Sequence, residues 1–144
     1  MIAIGCDHGG FELKCALIKF LQERNIDFTD CGCNGETVDY PDIAVKVCEK
    51  VTSGECERGV LVCGTGIGMS MAANKVKGIR AAVVSDTFSA RFTRMHNDCN
   101  VLCMGGRVLG SGLACDILAS YLDAEFEGGR HQARIDKMMK LEEK

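Results

Sequence analysis

The sequence predicts an α/β protein with a Rossmann-like, three-layer α-β-α sandwich around a five-stranded parallel sheet. First, short apolar runs alternate along the chain with amphipathic helical patterns. Second, strands separated by helices require crossover connections, which make the sheet parallel and cover both of its faces. Third, the chain has 144 residues, 47% of them hydrophobic and 26% charged, which is the size and composition of one globular domain.

The predicted elements alternate regularly from the amino terminus. Strands are expected at 2–4, 26–31, 59–63, 79–85 and 100–104, and helices at 11–24, 42–51, 69–75, 86–95, 113–122 and 130–143. Apolar residues recur on one face of each longer helix, as Leu13, Leu17 and Leu21 do in the first of them. The segment 32–41 is expected to be a loop, because it breaks the apolar pattern and holds the only proline. No linker, repeat or low-complexity tract interrupts the pattern, so residues 1–144 are expected to form a single domain.

The charge balance excludes several classes of partner. The net charge is -3 and the pI about 5.6, so no basic surplus exists for nucleic acid or an acidic membrane surface. A local phosphate site remains compatible with this balance, because a few arginines are enough to form it. No apolar run approaches the roughly 18 residues of a membrane span, and no signal peptide is evident, so we expect a cytoplasmic protein.

Ten cysteines are present, and their positions argue against a disulfide framework. Cys6 and Cys63 lie in apolar runs, where a free cysteine acts as a small hydrophobe. Cys31, Cys33 and Cys56 lie outside such runs and are expected to be exposed. A chain of this length has a full core and does not need disulfides. No CxxC pair occurs, so no structural zinc site is predicted.

The glycine-rich segment 64–68 follows the clearest strand, at the sheet edge where parallel α/β proteins bind their ligands. Met69 stands where a GxGxxG fingerprint needs glycine and where a Cys-x5-Arg phosphatase loop needs arginine, so both motifs fail. The Gly-Lys-Ser/Thr of a P-loop is missing as well. Successive backbone N–H groups in this turn favour an anion site. A tight turn needed only for packing is the alternative.

Side chains at the same edge are candidates for chemistry. Cys63 ends a strand just before a helix, where the field of the helix stabilises a thiolate; an inert strand-end cysteine is the alternative. His8 follows the first strand and His96 closes the helix after the fourth, and we expect both on loops at the ligand edge. A purely structural histidine is the competing interpretation. Asp7 is placed to fix a tautomer of His8 or to bind a sugar hydroxyl.

Three arginines are candidates for an anion site. Arg130 and Arg134 are four residues apart on one predicted helix and therefore share a face, which suits a phosphate. Arg107 follows Gly105 and Gly106 after the fifth strand. A solvated, charged terminal helix is the alternative for the first two.

Taken together, these motifs resemble those of type B ribose-5-phosphate isomerases, a family that also includes galactose- and allose-6-phosphate isomerases. The resemblance runs in order along nearly the whole chain, through GCDHGG at 5–10, DYP at 39–41, VCGTGIG at 62–68, AANK at 72–75, RMHND at 94–98 and EGGRH at 127–131. It implies a sugar-phosphate isomerase of the pentose phosphate pathway that uses no metal or cofactor. It also implies a homodimer, in some members a tetramer, with the C-terminal helix reaching across to the partner and active sites at the interface.

The resemblance also implies roles for individual residues. Cys63 would be the base that moves a proton between C2 and C1, and His96 the acid that opens the furanose ring with help from Thr65. The remaining contacts would come from side chains that bind sugar oxygens, amides that hold the enediolate and arginines that bind phosphate: Asp7, His8, Asn97, Gly64, Gly66, Ile67, Gly68, Arg107, Arg130 and Arg134.

Other functions stay open at this point. The sequence does not decide between ribose 5-phosphate and a 6-phosphate hexose, because the depth of the pocket cannot be predicted from it. A thiol redox protein that uses Cys63 is a less favoured alternative, since it would not need three arginines. A non-catalytic sugar-phosphate-binding subunit is disfavoured because Cys63 is present.

Overall fold

The computed structural model describes residues 1–144 and contains a five-stranded sheet with six α-helices. The elements are β1 (Ile2–Cys6), α1 (Phe11–Glu23), β2 (Phe28–Asp30), α2 (Tyr40–Thr52), β3 (Arg58–Cys63), α3 (Ile67–Ala73), β4 (Ala81–Val83), α4 (Thr87–Asn97), β5 (Val101–Gly105), α5 (Ser111–Asp123) and α6 (Arg130–Met139). Short 3-10 turns follow β1 and α6, at His8–Gly10 and Lys140–Glu143. None of the helices is both long and apolar enough to cross a membrane.

All neighbouring strands of the sheet are parallel, in the order β2-β1-β3-β5-β4. The α/β class and the parallel five-stranded sheet predicted from the sequence are therefore confirmed. The chain passes from β3 to the outer position of β4 and then returns, so that β5 fills the place between them. Side chains of the central strands alternate between the two faces, as Val60 and Val62 on one face and Leu61 and Cys63 on the other show.

Two apolar cores, one on each face of the sheet, complete the three layers. Helices α1 and α5 cover one face with Leu17 and Ile117, and α4 joins them through Ala90. Helices α2 and α3 cover the other face with Val47 and Met69. Because β1 and β3 are neighbours whose following helices lie on opposite faces, a crevice opens between the carboxyl ends of these two strands.

Most differences from the predicted elements are shifts of one or two residues at the ends. Helix α2 is the informative case, because it begins at Tyr40 and includes Pro41, which we expected in the preceding loop. Proline is compatible with the first turn of a helix, where the missing N–H would have no partner in any case. The earlier start turns Tyr40 toward the sheet edge, where its ring lies against Gly68: a Cβ on that glycine would be 2.7 Å from the ring.

An ion pair between the buried side chain of Lys14 and the partly exposed carboxylate of Asp30 fixes the loop that leads from β2 toward α2. The ammonium of Lys14 is 1% exposed; it donates to Asp30 Oδ1 at 2.7 Å and to the backbone oxygen of Cys33 at 2.6 Å. The Asp30 carboxylate also accepts from the backbone N–H of Gly32 at 2.9 Å. Removing the Asp30 carboxylate leaves the buried charge of Lys14 without its counter-ion, whereas removing the Lys14 charge leaves only a partly exposed carboxylate and costs less.

We expect Asp30→Asn to lower the free energy of unfolding by about 1–3 kcal/mol, because the buried Lys14 ammonium loses a charged acceptor that is itself partly exposed to solvent. Lys14→Met should cost clearly less, since no buried charge remains. The exposed pair of Lys50 and Glu55, at 2.7 Å, provides the control: Glu55→Gln should cost less than about 1 kcal/mol. Urea unfolding measures all three. Equal losses for Asp30→Asn and Glu55→Gln would contradict a special contribution of the Lys14–Asp30 pair to stability.

Candidate active site

The crevice at the carboxyl edge brings together the ends of three neighbouring strands. Beyond β1, the backbone N–H of Asp7 donates to Val62 on β3 at 3.2 Å. Beyond β5, the N–H of Gly106 donates to the oxygen of Cys63 at 2.8 Å, and the N–H of Arg107 to the oxygen of Gly64 at 2.9 Å. These backbone bonds continue the sheet past its last residues and hold the three loops close to one another.

The Cys63 thiol lies in this crevice, at the carboxyl end of β3. Its sulfur accepts a hydrogen bond from the backbone N–H of Gly66 at 3.1 Å, and the residue is 5% exposed. A donor aimed at sulfur stabilises the thiolate, which is the nucleophilic and basic form of cysteine. The loop therefore supplies a local stabilising contact for negative charge on this sulfur.

The glycine-rich turn after β3 has little room for side chains. Gly66 has φ +81°, and a Cβ there would lie 2.7 Å from the carbonyl carbon of Met104. Only glycine fits both the left-handed backbone and the close approach of β5. Two amides of the turn already have acceptors in the chain: Gly66 N–H bonds Cys63, and Ile67 N–H bonds the hydroxyl of Thr65 at 3.2 Å. An anion that used either amide would have to share or replace these contacts.

Asp7 and His8 occupy the opposite wall of the crevice, at the end of β1. Asp7 is 8% exposed, and its Oδ1 accepts from the N–H of Gly9 at 2.9 Å, which caps the 3-10 turn. His8 is exposed at the same edge. Asp7 bonds the backbone of Gly9, so its position is fixed by the turn itself.

Arg107 lies beside the glycine-rich turn. Its Nη1 would be 3.4 Å from a Cβ built on Gly64, so the guanidinium rests directly against that glycine. Arg107, Arg130 and Arg134 are all exposed, and none of them forms a salt bridge within the chain. All three keep their hydrogen-bond donors available for an external anion.

The expected placement of His96 on a loop at the ligand edge is wrong within one chain, and Asn97 lies beside it. Both residues end α4, and α4 runs back across the sheet from the end of β4. Its eleven residues span about 16 Å, so its last turn lies at the opposite, amino edge. Arg80, just before β4, marks this edge: its Nε donates to the backbone oxygens of Asn97 and Asp98 at 3.1 Å.

Helix α6 lies at the same amino edge. The N–H of Glu127, shortly before α6, donates to Met95 on α4 at 3.0 Å. At the far end of the segment, Glu142 accepts from the N–H of Gly78 at 2.9 Å. Arg130 and Arg134 therefore share the edge with His96, and the predicted site is divided into two halves. One contains Cys63 and the glycine-rich turn, and the other contains His96 and the two arginines of α6.

His96 is surrounded by aromatic and acidic groups. Its Nε2 lies 3.0 Å from Glu127 Oε1, and its ring stacks on that of His131 with centroids 4.0 Å apart and an angle of 11°. The edge of Phe92 also approaches the His96 ring, at 5.0 Å between centroids. Burial, followed by the charges of His96 and Arg130, lowers the pKa of His131, which favours its neutral form.

His96, Glu127 and His131 are also residues of the kinds that bind metal ions. One potential ligand atom from each lies within 4.8 Å of the other two. An imidazole binds a metal through a nitrogen lone pair that lies in the plane of its ring, at about 2.0–2.1 Å for zinc. The two rings are stacked nearly parallel, so their lone pairs do not converge on one point. This geometry favours a stacked, hydrogen-bonded cluster over a metal centre.

Three residues of the two halves were not selected from the sequence: Tyr40, Glu127 and His131. Tyr40 was predicted in a loop, and nothing in the sequence indicates that its ring would pack on Gly68. Glu127 and His131 flank Arg130 in the EGGRH segment, and their contacts with His96 join residues more than 30 positions apart. The sequence offered one indication of a functional role for these two residues, namely that a carboxylate and an imidazole lie close to a predicted anion site.

Several of the buried cysteines lie in surroundings that disfavour a thiolate. Burial raises the pKa of the thiols of Cys6 and Cys48 to about 12, and it also raises those of Cys99 and Cys103. The expected exposure of Cys33 and Cys56 is wrong, because both are 1% exposed. Cys33 lies against Lys14 and Cys6, with 3.9 Å between the sulfurs of the two cysteines. All ten cysteines are free thiols.

A doubly wound sheet with a thiol, a glycine-rich turn and the unpaired Arg107 at its carboxyl edge is typical of an α/β enzyme that binds small anionic substrates. Comparison with known proteins identifies the family. Residues 2–138 match the family model described as Ribose/Galactose Isomerase, and the chain belongs to this family. It is thus an isomerase.

Similarity to individual members extends over nearly the full length. The chain is 47% identical to ribose-5-phosphate isomerase B of Escherichia coli, with 99% of this chain and 97% of the relative covered. It is 43% identical to a D-erythrulose-4-phosphate isomerase of Pectobacterium atrosepticum, over 95% of this chain and 91% of the relative. The solved structure of Clostridium thermocellum ribose-5-phosphate isomerase B is similar to this chain with a TM-score of 0.97 and 52% identity, and 99% of this chain and 97% of that chain are covered.

Proposed function

We propose that this chain interconverts ribose 5-phosphate and ribulose 5-phosphate, an aldose–ketose isomerisation of the pentose phosphate pathway. The observation that carries the chemistry is the Cys63 thiol, which accepts the Gly66 N–H in the crevice. The choice of sugar is supported by the ribose-5-phosphate isomerases that the chain resembles along its whole length. The proposal covers residues 1–144 as one catalytic domain.

In the isomerisation step, the Cys63 thiolate acts as the base. It removes the proton from C2 of the open-chain aldose; the C2–H electrons form the C1=C2 bond of an enediolate, and negative charge develops on O1. The enediolate electrons then take the proton from Cys63 at C1, and the hydroxyl proton of O2 passes to O1, so that O2 becomes the ketone oxygen and O1 the hydroxyl of the ketose. Backbone N–H groups of residues 64–68 stabilise the charged oxygen, which is the role of an oxyanion hole. No cofactor takes part in this scheme.

Ring opening precedes this step, because an aldopentose phosphate is mainly cyclic. His96 protonates the ring oxygen, and Thr65 assists at the anomeric end. Asp7, His8 and Asn97 bind the sugar oxygens. A histidine suits the task, because its unperturbed pKa lies close to neutrality and it can both donate and accept a proton.

The phosphate is held by Arg107, Arg130 and Arg134. Their exposure and the lack of any carboxylate partner in the chain support this assignment. The phosphate does not react, so its contacts provide binding energy that aligns C1 and C2 with the base.

A complete site requires two copies of the chain, and we propose a homodimer, which could pair further into a tetramer. Within one chain, Cys63 and His96 lie at opposite edges of the sheet. A second copy that brings its His96 and α6 to the Cys63 edge would unite the two halves. Large apolar side chains near the Cys63 edge are exposed and suit such a contact: Ile67 at 50%, Met71 at 65%, Phe88 at 64% and Val108 at 60%.

The proposed location is the cytoplasm, where free thiols stay reduced. This is supported by the ten free cysteines, including the close pair of Cys6 and Cys33. Neither nucleic acid nor a membrane is proposed as a partner, in keeping with a net charge of -3.

Cys63→Ala should bind phosphosugar but lose proton transfer, because the arginines and amides remain while the base is gone. We expect turnover to fall by about 10²–10⁴-fold or more. Cys63→Ser should recover little, since a hydroxyl is a far weaker base than a thiolate near neutral pH. Cys103→Ser, which alters a fully buried thiol on β5, is the control and should keep turnover in the folded protein.

The measurement is steady-state isomerisation with excess dithiol reductant and no thiol acceptor, which also excludes a thiol redox protein. Iodoacetamide should inactivate the wild type, and saturating phosphosugar should slow that reaction. Near-normal turnover by Cys63→Ala would overturn the proposed mechanism, and Asp7 would then be the next base to test.

Mixing two inactive variants should restore activity if the site is shared between subunits. Cys63→Ala chains supply an intact His96 half, and Arg134→Ala chains supply an intact Cys63. With random exchange about half of the dimers are mixed and each has one working site, so activity should reach about a quarter of the wild-type value.

The control mixes Cys63→Ala with the double variant Cys63→Ala/Arg134→Ala, in which no site can be completed. Native mass spectrometry monitors subunit exchange. If exchange is complete and activity does not return, the whole site lies within one chain.

The choice of sugar can be tested directly. A hexose 6-phosphate, such as allose or galactose 6-phosphate, is the alternative substrate, and a four-carbon phosphosugar is suggested by the Pectobacterium relative. We expect kcat/KM to be highest for ribose 5-phosphate in a panel with allose 6-phosphate, galactose 6-phosphate and D-erythrulose 4-phosphate. A higher value for any other member would replace the proposed substrate while leaving the isomerase chemistry intact.

A further inference from the structure

Glu127 is held next to His96 by the backbone as well as by its side chain. Its N–H donates to the oxygen of Met95, the residue before His96, at 3.0 Å. Its Oε1 lies 3.0 Å from His96 Nε2. The following turn is closed by a bond from the N–H of His131 to the oxygen of Gly128 at 3.1 Å, which brings the His131 ring onto His96. One short segment thus places two groups against the same imidazole.

We infer that Glu127 is the positioning residue for His96: its carboxylate accepts the Nε2 proton, so that Nδ1 is the atom that exchanges a proton with the sugar. This inference deepens the proposed function and rests on it. The stack with His131 restricts rotation of the His96 ring, which would otherwise exchange the two nitrogens. A carboxylate on one imidazole nitrogen fixes the tautomer and the orientation of the ring.

The proton movements of ring opening follow from this arrangement. The imidazolium of His96 donates its Nδ1 proton to the ring oxygen as the bond from C1 to that oxygen breaks and leaves its electron pair there. The anomeric hydroxyl loses its proton to water, and C1 becomes the aldehyde carbon. His96 then regains a proton from water, so the net change is the opening of the ring alone. Throughout, Nε2 keeps its proton in the hydrogen bond to Glu127.

His131 is suited to remain neutral while His96 is charged. Its burial and the nearby positive charges of His96 and Arg130 lower its pKa, and Arg134 acts in the same direction. A neutral ring can stack on an imidazolium without the repulsion of two cations. Glu127 is then the negative group that directly contacts His96 from the segment before α6.

The test separates ring opening from proton transfer at carbon. Ribose 5-phosphate is cyclic and requires both steps, whereas ribulose 5-phosphate has no furanose to open and exchanges a C1 proton for deuterium through the enediolate alone. The first is measured by steady-state turnover, and the second by NMR in D₂O. Glu127→Ala should lower kcat/KM for ribose 5-phosphate by about 10–100-fold, the loss found when a carboxylate that orients a metal-bound histidine is removed. Exchange at C1 of ribulose 5-phosphate should change by less than about threefold.

Glu127→Gln provides the conservative comparison, since its amide oxygen can still accept the Nε2 proton while the charge is gone. It should recover part of the loss, between the alanine variant and the wild type. Glu125→Gln, at an exposed position two residues earlier, is the matched control and should leave both measurements unchanged. Thermal unfolding of each variant identifies any loss of the fold.

Two results would overturn the inference. One is wild-type turnover of ribose 5-phosphate by folded Glu127→Ala while His96→Asn is impaired. The other is an equal loss of turnover and of C1 exchange in both Glu127 variants. Failure of the proposed function is distinguishable, because wild-type protein would then show no C1 exchange that depends on Cys63.

Discussion

Parallel connection of the strands is the constraint on which the rest of the structure depends. A helix that joins two parallel strands must run back across the sheet, so strand ends and helix ends lie at opposite edges. Cys63 ends a strand and His96 ends a helix, and the fold therefore separates them within one chain. An enzyme that uses both residues has to gain the second half of its site from outside the chain. The proposed dimer is argued from this separation within one chain. The similarity to known isomerases is a separate observation and is not used in that argument.

The same constraint distinguishes Cys63 from the cysteines of the protein interior. In the interior, cysteines such as Cys48 and Cys103 fill space between the sheet and its helices, and burial raises the pKa of their thiols. Cys63 is almost as buried, but it is the last residue of its strand, and the turn that follows directs the Gly66 N–H at its sulfur. The position at the strand end, more than exposure, distinguishes this residue.

The fold could be predicted largely from local pattern. Each strand is a short apolar run and each helix has a periodic apolar face, and these signals do not depend on distant residues. Helix α2 shows the limit, because Pro41 indicates a boundary without deciding whether it lies before the helix or in its first turn. The exposure of Cys33 was predicted wrongly for a related reason: its burial comes from contacts with Lys14 and Cys6, which the neighbouring sequence does not contain.

The sequence by itself determined the fold class, the glycine-rich turn with Cys63 and the arginines suited to a phosphate, since these follow from residue type and short-range spacing. It also carried the resemblance to the isomerase family, which the full-length comparisons bear out. Only the tertiary structure decided which of these groups share an edge of the sheet. In the folded chain, His96 lies far from Cys63, and Glu127 and His131 contact His96. The reason is physical: side-chain contacts between distant segments depend on strand order and helix direction, which no local pattern encodes.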